Sequence, residues 1–395
     1  MFNQKSTNKV LVTGFPYVRE RYFATWRHQP DPERYYFLLP RAWPIKNGKI
    51  IYTAPEDSRV ISGRAFFPHS HFPVMGGLLK GWMPIFPVVL WRLRKHIGLV
   101  YSCTEPVLLT TLYQAISTRL MGKKHVCASW ENIPYEEKLK GFSLWLHRAI
   151  IWANLALSDG MICGNKESEK IHKRYTKKTI AQFVLNGVDP EKFSHKDGPK
   201  IFRDHNFTDA LVYSFIGAIE HRKGMQIVVR AFPGVLRVIP NAWLVVAGTG
   251  PDEKELEEAI ESSGVKHRII RVPWLDDAGV HGLMNISDVF VYPGIPYKGW
   301  VEQFGFAMLE ASLMELPVIG TNVGSTPQAV IHDQTGILVQ PDNVQEVTDA
   351  MIKLGTDQPL RQQLGKAGRK YIAETFSNEI VYRKFYDFFT KILSQ

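Results

Sequence analysis

The order of apolar runs and helical patterns predicts an α/β protein made of two doubly wound, Rossmann-like domains facing across a cleft. Three observations carry this. The chain has 395 residues, enough for two domains at about 150 residues each. Strand-like runs alternate with helical patterns in both halves. A turn-rich, weakly apolar segment, NGVDPEKF (Asn186–Phe193) with the polar Ser194–Lys200 after it, interrupts the pattern near the middle.

In the first half, Val10–Thr13 reads as a strand ending at Gly14, followed by strand candidates Ile97–Cys103 and His125–Ala128. Leu108–Met121 has helical spacing between the last two. In the second half, Val212–Ile216 is a strand ending at Gly217, and a helical stretch from Met225 to Val238 is interrupted by Pro233. Trp243–Ala247 is the next strand. After Gly248-Thr-Gly250, Pro251 stands at a first helical position, with Asp252, Glu253 and Glu255 in the first turn. Strands follow at Ile269–Val272, Val289–Tyr292, Pro317–Gly320 and Gly336–Val339, with helices near Ala278–Asn285 and Ala307–Met314 between them. The last segment places Phe376, Ile380, Phe385, Phe388, Phe389 and Ile392 near helical spacing, with Ser377 as N-cap.

Apolar residues make up 45% and charged residues 22% of the chain, which excludes a disordered, collagenous or coiled-coil protein. Cys103, Cys127 and Cys163 form no CxxC pair, so free buried thiols in a reducing compartment are expected. His69, His71 and His221 lack further ligands at a recognisable spacing, so no metal is expected. The Gly248-Thr-Gly250 triplet lacks the third glycine of a dinucleotide fingerprint. No secretory signal is read at the start.

Charge is uneven. Residues 1–190 hold 27 Lys/Arg against 13 Asp/Glu, and residues 191–395 hold 21 against 25. The basic half favours an anionic partner: phospholipid head groups, a diphosphate-linked acceptor or nucleic acid. Nucleic acid is not expected, because no zinc-finger or RNP-type pattern accompanies scattered basic residues. The apolar stretch Phe72–His96 is broken by Pro and Gly, so it does not read as a spanning helix. Trp82, Phe86 and Trp91 in it suit a headgroup boundary, with Arg92, Arg94 and Lys95 following; the alternative is a piece of domain core.

The stretch Tyr292–Pro317 is the most informative. Glu302 and Glu310 flank the loop Gln303-Phe-Gly-Phe306, which opens a helix. Free N–H groups at such a helix start donate to phosphate oxygens. One carboxylate further along suits the hydroxyls of a ribose, and one before the loop suits a sugar beyond the diphosphate. Two solvated glutamates on a surface helix remain the other reading.

The string EQFGFAMLEASLMELPVIGTNVGSTPQAVIHDQTGILVQPDN resembles the C-terminal signature of retaining GT-B glycosyltransferases of family 4. NGVDPEKF, IGAIEHRKG (Ile216–Gly224) and VVAGTGPDEKELEE resemble further landmarks of that family, in the same order. The resemblance covers residues 186–375 well and the first half loosely.

It implies domains at 1–190 for the acceptor and 191–375 for a nucleoside-diphosphate sugar, with the helix at 376–395 packing back on the first. It assigns Glu302 to the donor sugar, Glu310 to the ribose and Lys223 to the diphosphate. Phe304, Gly305, Phe306, Ala307, Met308 and Leu309 become the phosphate loop and helix start. Gly14 and Gly217 are candidates for close approach to the donor. Where the family has an arginine after Gly217, this chain has Ala218; Arg222 is a candidate replacement. Glu131 or Asn132 would stand where the family often has a histidine. Glu315 stands where glycine is common and Gln328 where glutamate is common.

The resemblance thus implies transfer of a sugar to a hydroxyl of a glycan or lipid-linked acceptor, with retention and without a metal or other cofactor. The expected place is the cytoplasm or the inner face of a membrane. A nucleotide-sugar epimerase or hydrolase and a non-catalytic binding module are the alternatives.

Overall fold

The computed structural model describes residues 9–27, 30–44, 51–68, 75–194, 207 and 209–395; His69, His71 and Phe72–Val74 lie outside them. The chain packs as two compact units, one of Met1–Gly187 with Asn378–Gln395 and the other of Val188–Ser377.

The first unit holds strands β1 (Lys9–Thr13), β2 (Tyr35–Pro40), β3 (Ala42–Pro44), β4 (Ile51–Thr53), β5 (Val60–Gly63), β6 (Ile97–Ser102), β7 (Lys124–Ser129), β8 (Gly160–Cys163) and β9 (Thr179–Gln182). Seven form a parallel sheet in the order β5-β2-β1-β6-β7-β8-β9, and β3–β4 is a separate antiparallel pair. The central strands are apolar almost throughout because both faces are covered. On one face Leu11, Leu38 and Val100 pack against Phe86, Val89 and Leu90. On the other, the rings of Phe385 and Phe389 lie 5.4 and 5.3 Å from that of Tyr101. Trp26 lies 4.8 Å from Phe385.

Those phenylalanines belong to a helix that starts at Asn378 and runs to Leu393. Ser377, extended at φ −60° and ψ 154°, separates it from the preceding helix, Gln358–Phe376, and so stands at the expected cap position. Phe376 does not belong to the last helix: it closes the earlier one and packs edge to face with Phe304 at 5.1 Å. Thr25 ties the last helix to the first unit: its hydroxyl donates to Asn378 Oδ1 at 2.9 Å and accepts from Gly187 N at 2.9 Å.

The stretch expected at a headgroup boundary lies only partly in the core. Phe86 and Met83 are buried, and Trp82 packs between Phe66 and Tyr113 at 5.8 and 6.1 Å. Trp91 alone of the three named aromatics is exposed.

The second unit holds β10 (Leu211–Ile216), β11 (Ala242–Ala247), β12 (Ile269–Val272), β13 (Val289–Tyr292), β14 (Val318–Thr321) and β15 (Gly336–Val339). All pair in parallel in the order β12-β11-β10-β13-β14-β15. This is the doubly wound order, with its switch point between β10 and β13.

Two local expectations differ here. Met225–Val238 is one continuous helix despite Pro233. Its inner face buries Ile227, Val228, Ala231, Phe232 and Val235, and that burial outweighs the lost backbone bond. The helix after Pro251 starts at Glu253. Asp252 is drawn off to accept from His221 N at 2.7 Å, and Glu253 accepts from Gly250 N at 2.7 Å.

The buried histidines of the first unit give its pH response a sign. His125 sits between the hydroxyls of Ser102 and Ser158 at 3.0 and 2.9 Å. Burial pushes its imidazole down to about 3, against the pull of Asp159. Burial likewise holds His172 at about 4. A depressed histidine is neutral when folded and takes up its proton on unfolding, so its contribution is present above about pH 6.5 and lost toward the folded value. Glu105 works in the opposite sense, because burial raises it to about 7. His125→Gln should remove one such proton, making the loss of stability between about pH 6 and 4 shallower by up to about 1.4 kcal/mol per pH unit. Urea titrations of both proteins across that range measure it; parallel slopes would contradict it.

Candidate functional site

Ligands of an open parallel sheet sit beyond the carboxyl ends of the strands at the switch point. In the second unit those ends are Gly217, after β10, and Pro293, after β13. The chain leaving β10 passes through Ala218–Glu220 into a single 3-10 turn, His221–Lys223, which brings Lys223 back over the sheet. Gly224 closes that turn at φ 77°. A Cβ there would overlap the Pro293 carbonyl, so glycine is needed for both the turn and the approach. Ile295 N donates to Arg222 O at 2.9 Å and locks the two loops together.

Lys223 and Glu302 meet at this point. The Lys223 ammonium donates to Glu302 Oε2 at 2.5 Å and to the Tyr292 hydroxyl at 2.5 Å, and that hydroxyl donates to Glu302 Oε2 at 3.0 Å. All three side chains are buried. Burial alone would raise the Glu302 carboxyl, but the Lys223 charge and the bonds from Lys223 and Tyr292 hold it below its ordinary value. Burial lowers Lys223 against the pull of Glu302. Burial, then the Glu302 charge, pushes Tyr292 well up, so it is a neutral donor.

The backbone around Glu302 is held as firmly. Ser325 N donates to its carbonyl at 3.0 Å, and Gly324, at φ 60°, lies so close that a Cβ would come within 2.5 Å of the same oxygen. Gly305, at φ 76°, caps the helix Phe306–Leu313. Phe304, Met308 and Leu309 point into the core, so they offer a ligand main-chain groups only. Met308 N already donates to Gly305 O at 2.9 Å. The Ala307 amide, in the first turn, has no partner among the described residues. Glu310 lies on the second turn, half-buried.

Arg222 is committed to two neighbours that sequence reasoning does not supply. Its Nε pairs with Glu220, and its guanidinium lies 3.5 Å from the centre of the Trp300 ring. Lys223 is 5.1 Å from the same ring. Gly217 abuts the Phe215 ring, and its carbonyl is where a Cβ on Gly248 would fall. A Cβ on Gly250 would overlap the Ile219 carbonyl. The Gly-Thr-Gly turn is thus small because two loops pack there.

Gly14 and Glu131 lie in the first unit. Gly14 follows β1 at φ 151°, and a Cβ on it would stand 2.8 Å from the Cys103 carbonyl, so packing already requires glycine. Glu131, after β7, accepts from Asn132 N and Ile133 N at 3.0 and 3.1 Å and pairs with Lys138 at 2.6 Å. Asn132 is buried beside it. His221 pairs with Glu255 at 2.7 Å, and no group of three or more metal-ligating side chains occurs among the described residues. The three cysteines are free and buried.

Comparison with known proteins places the fold and finds a family match within the second unit. The fold is that of two-domain GT-B glycosyltransferases: HepE of Anabaena matches over 97% of this chain and 100% of its own, with a TM-score of 0.74 at 15% identity. A sucrose-phosphate synthase from Thermosynechococcus elongatus matches over 98% and 99%, with a TM-score of 0.70 at 15% identity. Residues 197–371 match the family described as glycosyl transferases group 1. A relative in Mycobacterium tuberculosis, a GDP-mannose-dependent alpha-(1-6)-phosphatidylinositol monomannoside mannosyltransferase, is 30% identical over 52% of this chain and 55% of its own. A capsular polysaccharide biosynthesis glycosyltransferase of Staphylococcus aureus is 26% identical over 53% and 54%. The chain spans about half the length of the curated relatives it matches.

The buried pair should behave as one unit. Lys223→Met or Glu302→Gln alone should each lower stability by about 3–5 kcal/mol, the penalty for stranding a buried charge. The double variant should lose less than the sum of the two, because neither charge is left alone. Urea unfolding of the four proteins measures the coupling, and additive losses would show that the side chains do not depend on one another.

Proposed function

We propose that this chain transfers a sugar from a nucleoside-diphosphate sugar to a hydroxyl of a glycan or lipid-linked glycan acceptor, with retention at the anomeric carbon. The observation that carries the reading is the Lys223–Glu302 pair at the β10/β13 switch point, beside a helix start with an unused amide. Departure of a diphosphate leaves negative charge where it was attached, and a fixed cation with helix N–H groups stabilises that charge without reorganisation. Lys223 takes this role. When its charge turns to the diphosphate, Glu302 is released to contact the donor sugar near the reacting carbon. Glu310, on the second turn of the helix that Gly305 caps, accepts from the ribose hydroxyls. No side chain here is assigned as a nucleophile; the leaving phosphate takes the acceptor's proton on the same face.

Arg222 supplies the second cation missing at Ala218 once its pairing with Glu220 is exchanged. Phe304–Leu309 contribute main chain to the phosphates, with Gly217 at the strand end. Gly14 and Glu131 would act from the first unit, which takes the acceptor. The HepE structures hold UDP, UDP with glucose, and UDP-glucose, which supports a nucleotide-sugar as the ligand class. Protein cations neutralise the diphosphate, so no metal is required. The place of action is the cytoplasm, with attachment to the inner face of a membrane where the acceptor is lipid-linked. No helix among the described residues is long and apolar enough to cross one.

Incubation with a panel of nucleotide-sugars tests the reading. Free nucleoside diphosphate should appear only when acceptor is present, and chelation of divalent metals should leave the rate unchanged. Release without acceptor would mean a hydrolase or epimerase, and binding without release a non-catalytic module. Glu310→Gln should weaken donor binding by about 1–3 kcal/mol, the loss of a charge-assisted hydrogen bond. Glu302→Gln should reduce kcat more than it raises KM. Unchanged kinetics in both would remove these residues from the site.

A further inference from the structure

Three helices cover one face of the first unit's sheet: Phe86–Leu93, Leu109–Leu120 and Gly141–Leu157, each leading toward the next strand in the order β6, β7, β8. Their inner sides are ordinary. Phe86, Val89 and Leu90 of the first pack on the sheet, as do Ile151 and Leu155 of the third. Their outer sides are not. Phe142 is 74% exposed, Trp145 62% and Trp152 66%. Counting from Phe142, positions three and ten further on return to the same side of a helix, so these rings form one outward stripe; the first two stack at 5.6 Å. The neighbouring helix shows Leu120, 83% exposed, and Ile116, and the one beyond it shows Val88 and Trp91.

A surface helix normally turns its large apolar residues inward only. The helix Gly141–Leu157 is apolar on both sides, and its outer apolar side continues across two neighbours. Exposed patches of that kind mark docking surfaces.

Charge selects the occupant. Residues 85–96, 108–124 and 138–157 contain Arg92, Arg94, Lys95, Arg119, Lys123, Lys124, Lys138, Lys140 and Arg148, and no aspartate or glutamate. Some of these cations pair with carboxylates outside the three segments, as Arg148 does with Glu136 and Arg119 with Asp159. Arg92, Lys95, Lys123 and Lys140 have no ion pair among the described residues. A second copy docked through this face about a two-fold axis would set cations against cations. A bilayer carrying anionic lipid meets both features: tryptophan and phenylalanine rings enter the boundary between head groups and acyl chains, and lysine and arginine meet the phosphates.

We propose that this three-helix face is a docking surface for anionic phospholipid membrane, with Phe142, Trp145 and Trp152 as the inserted anchors. It rests on the lipid-linked acceptor of the proposed function for its purpose, and on the surface alone for its chemistry. The attachment expected from Phe72–His96 thus moves to a wider face, on which Trp91 is the aromatic that the stretch contributes.

Co-sedimentation of the full chain with phosphatidylcholine vesicles, with and without phosphatidylglycerol, tests it. Binding should require phosphatidylglycerol and weaken as salt rises. The triple variant Phe142→Ser, Trp145→Ser, Trp152→Ser should lose about tenfold or more in partitioning at low salt, from lost apolar insertion. Lys123→Glu with Lys140→Glu should also lose binding, with the loss largest at low salt. These side chains lie outside the core, so unchanged thermal melting and unchanged nucleotide-sugar turnover with a soluble acceptor should accompany both losses. Equal binding by all three proteins, or no binding to anionic vesicles at low salt, overturns the proposal. So does a wild-type dimer in sedimentation velocity that the triple variant abolishes. Turnover without vesicle binding would sink the surface and leave the proposed function standing; vesicle binding without turnover would do the reverse.

Discussion

A lysine and a glutamate buried against each other govern the architecture of the second unit's strand ends. Taking two charges out of water costs several kcal/mol for each, and their attraction offsets this only when geometry and extra hydrogen bonds are right. The structure meets both conditions. Tyr292, the last residue of β13, donates to the same carboxylate oxygen as Lys223. Glycines at 224 and 324 let main chain approach where a side chain would collide. Ser325 N holds the Glu302 carbonyl from behind. A pair built so closely has no evident use for stability, since an apolar pair of similar volume would do as well. On the proposed function its use lies in what it can release: an anion arriving at the lysine competes with Glu302 and sets that carboxylate free, so that binding and the positioning of the sugar-facing group are a single event.

Much of this is legible in the chain, for identifiable reasons. β12, β13 and β15 show their observed limits because each is a mostly apolar, β-branched run bounded by turn residues. β2, β5, β8 and β9 give no such signal. β5 (VISG) and β9 (TIAQ) mix small and polar residues with apolar ones, β8 (GMIC) has a single β-branched residue, and β2 ends at Pro40, which reads as a stop. Pro233 misleads for the opposite reason: a local rule about proline gives way to the burial of the helix's inner face. In the site, Lys223 and Glu302 are legible through the resemblance of their strings to a known family. Their contact is not, because 79 positions separate them and no spacing rule spans that gap. Tyr292, Glu220 and Trp300 carry no signal of their part. They are ordinary residues at a strand end and in turns, and their role appears only when loops meet in space. The site assignment therefore comes from pattern, and its electrostatics come from the fold.

The two sheets share a grammar and place different chemistry at their strand ends. After β10 and β13 the second unit sets charged groups: Glu220, Arg222, Lys223 and Glu302. After β1, β6 and β7 the first unit sets Gly14, Cys103 and two carboxylates: Glu105, which accepts from Ser129 Oγ and from Trp130 N at 2.7 Å, and Glu131, which pairs with Lys138. Burial raises Glu105 to about 7. On the proposed function the cations at the second unit's strand ends meet a diphosphate, whereas the first unit's named strand ends set carboxylates instead.

The outer surface of the first unit follows from the same constraint on layers. Crossover helices must bury one side on the sheet, and the other side is left to whatever the chain meets. In the second unit's helix Glu253–Ser262 that side carries Glu253, Lys254, Glu257, Glu258 and Glu261, a water-facing surface of mixed sign. In Gly141–Leu157 it carries Phe142, Trp145 and Trp152 beside Lys140 and Arg148. Water alone would select the first pattern, because exposed tryptophan gains nothing in solution and invites aggregation. The excess of basic residues over the first 190 positions therefore has a location and a companion. Cations in excess of carboxylates frame the exposed rings, and neither feature is explained by the sheet beneath them.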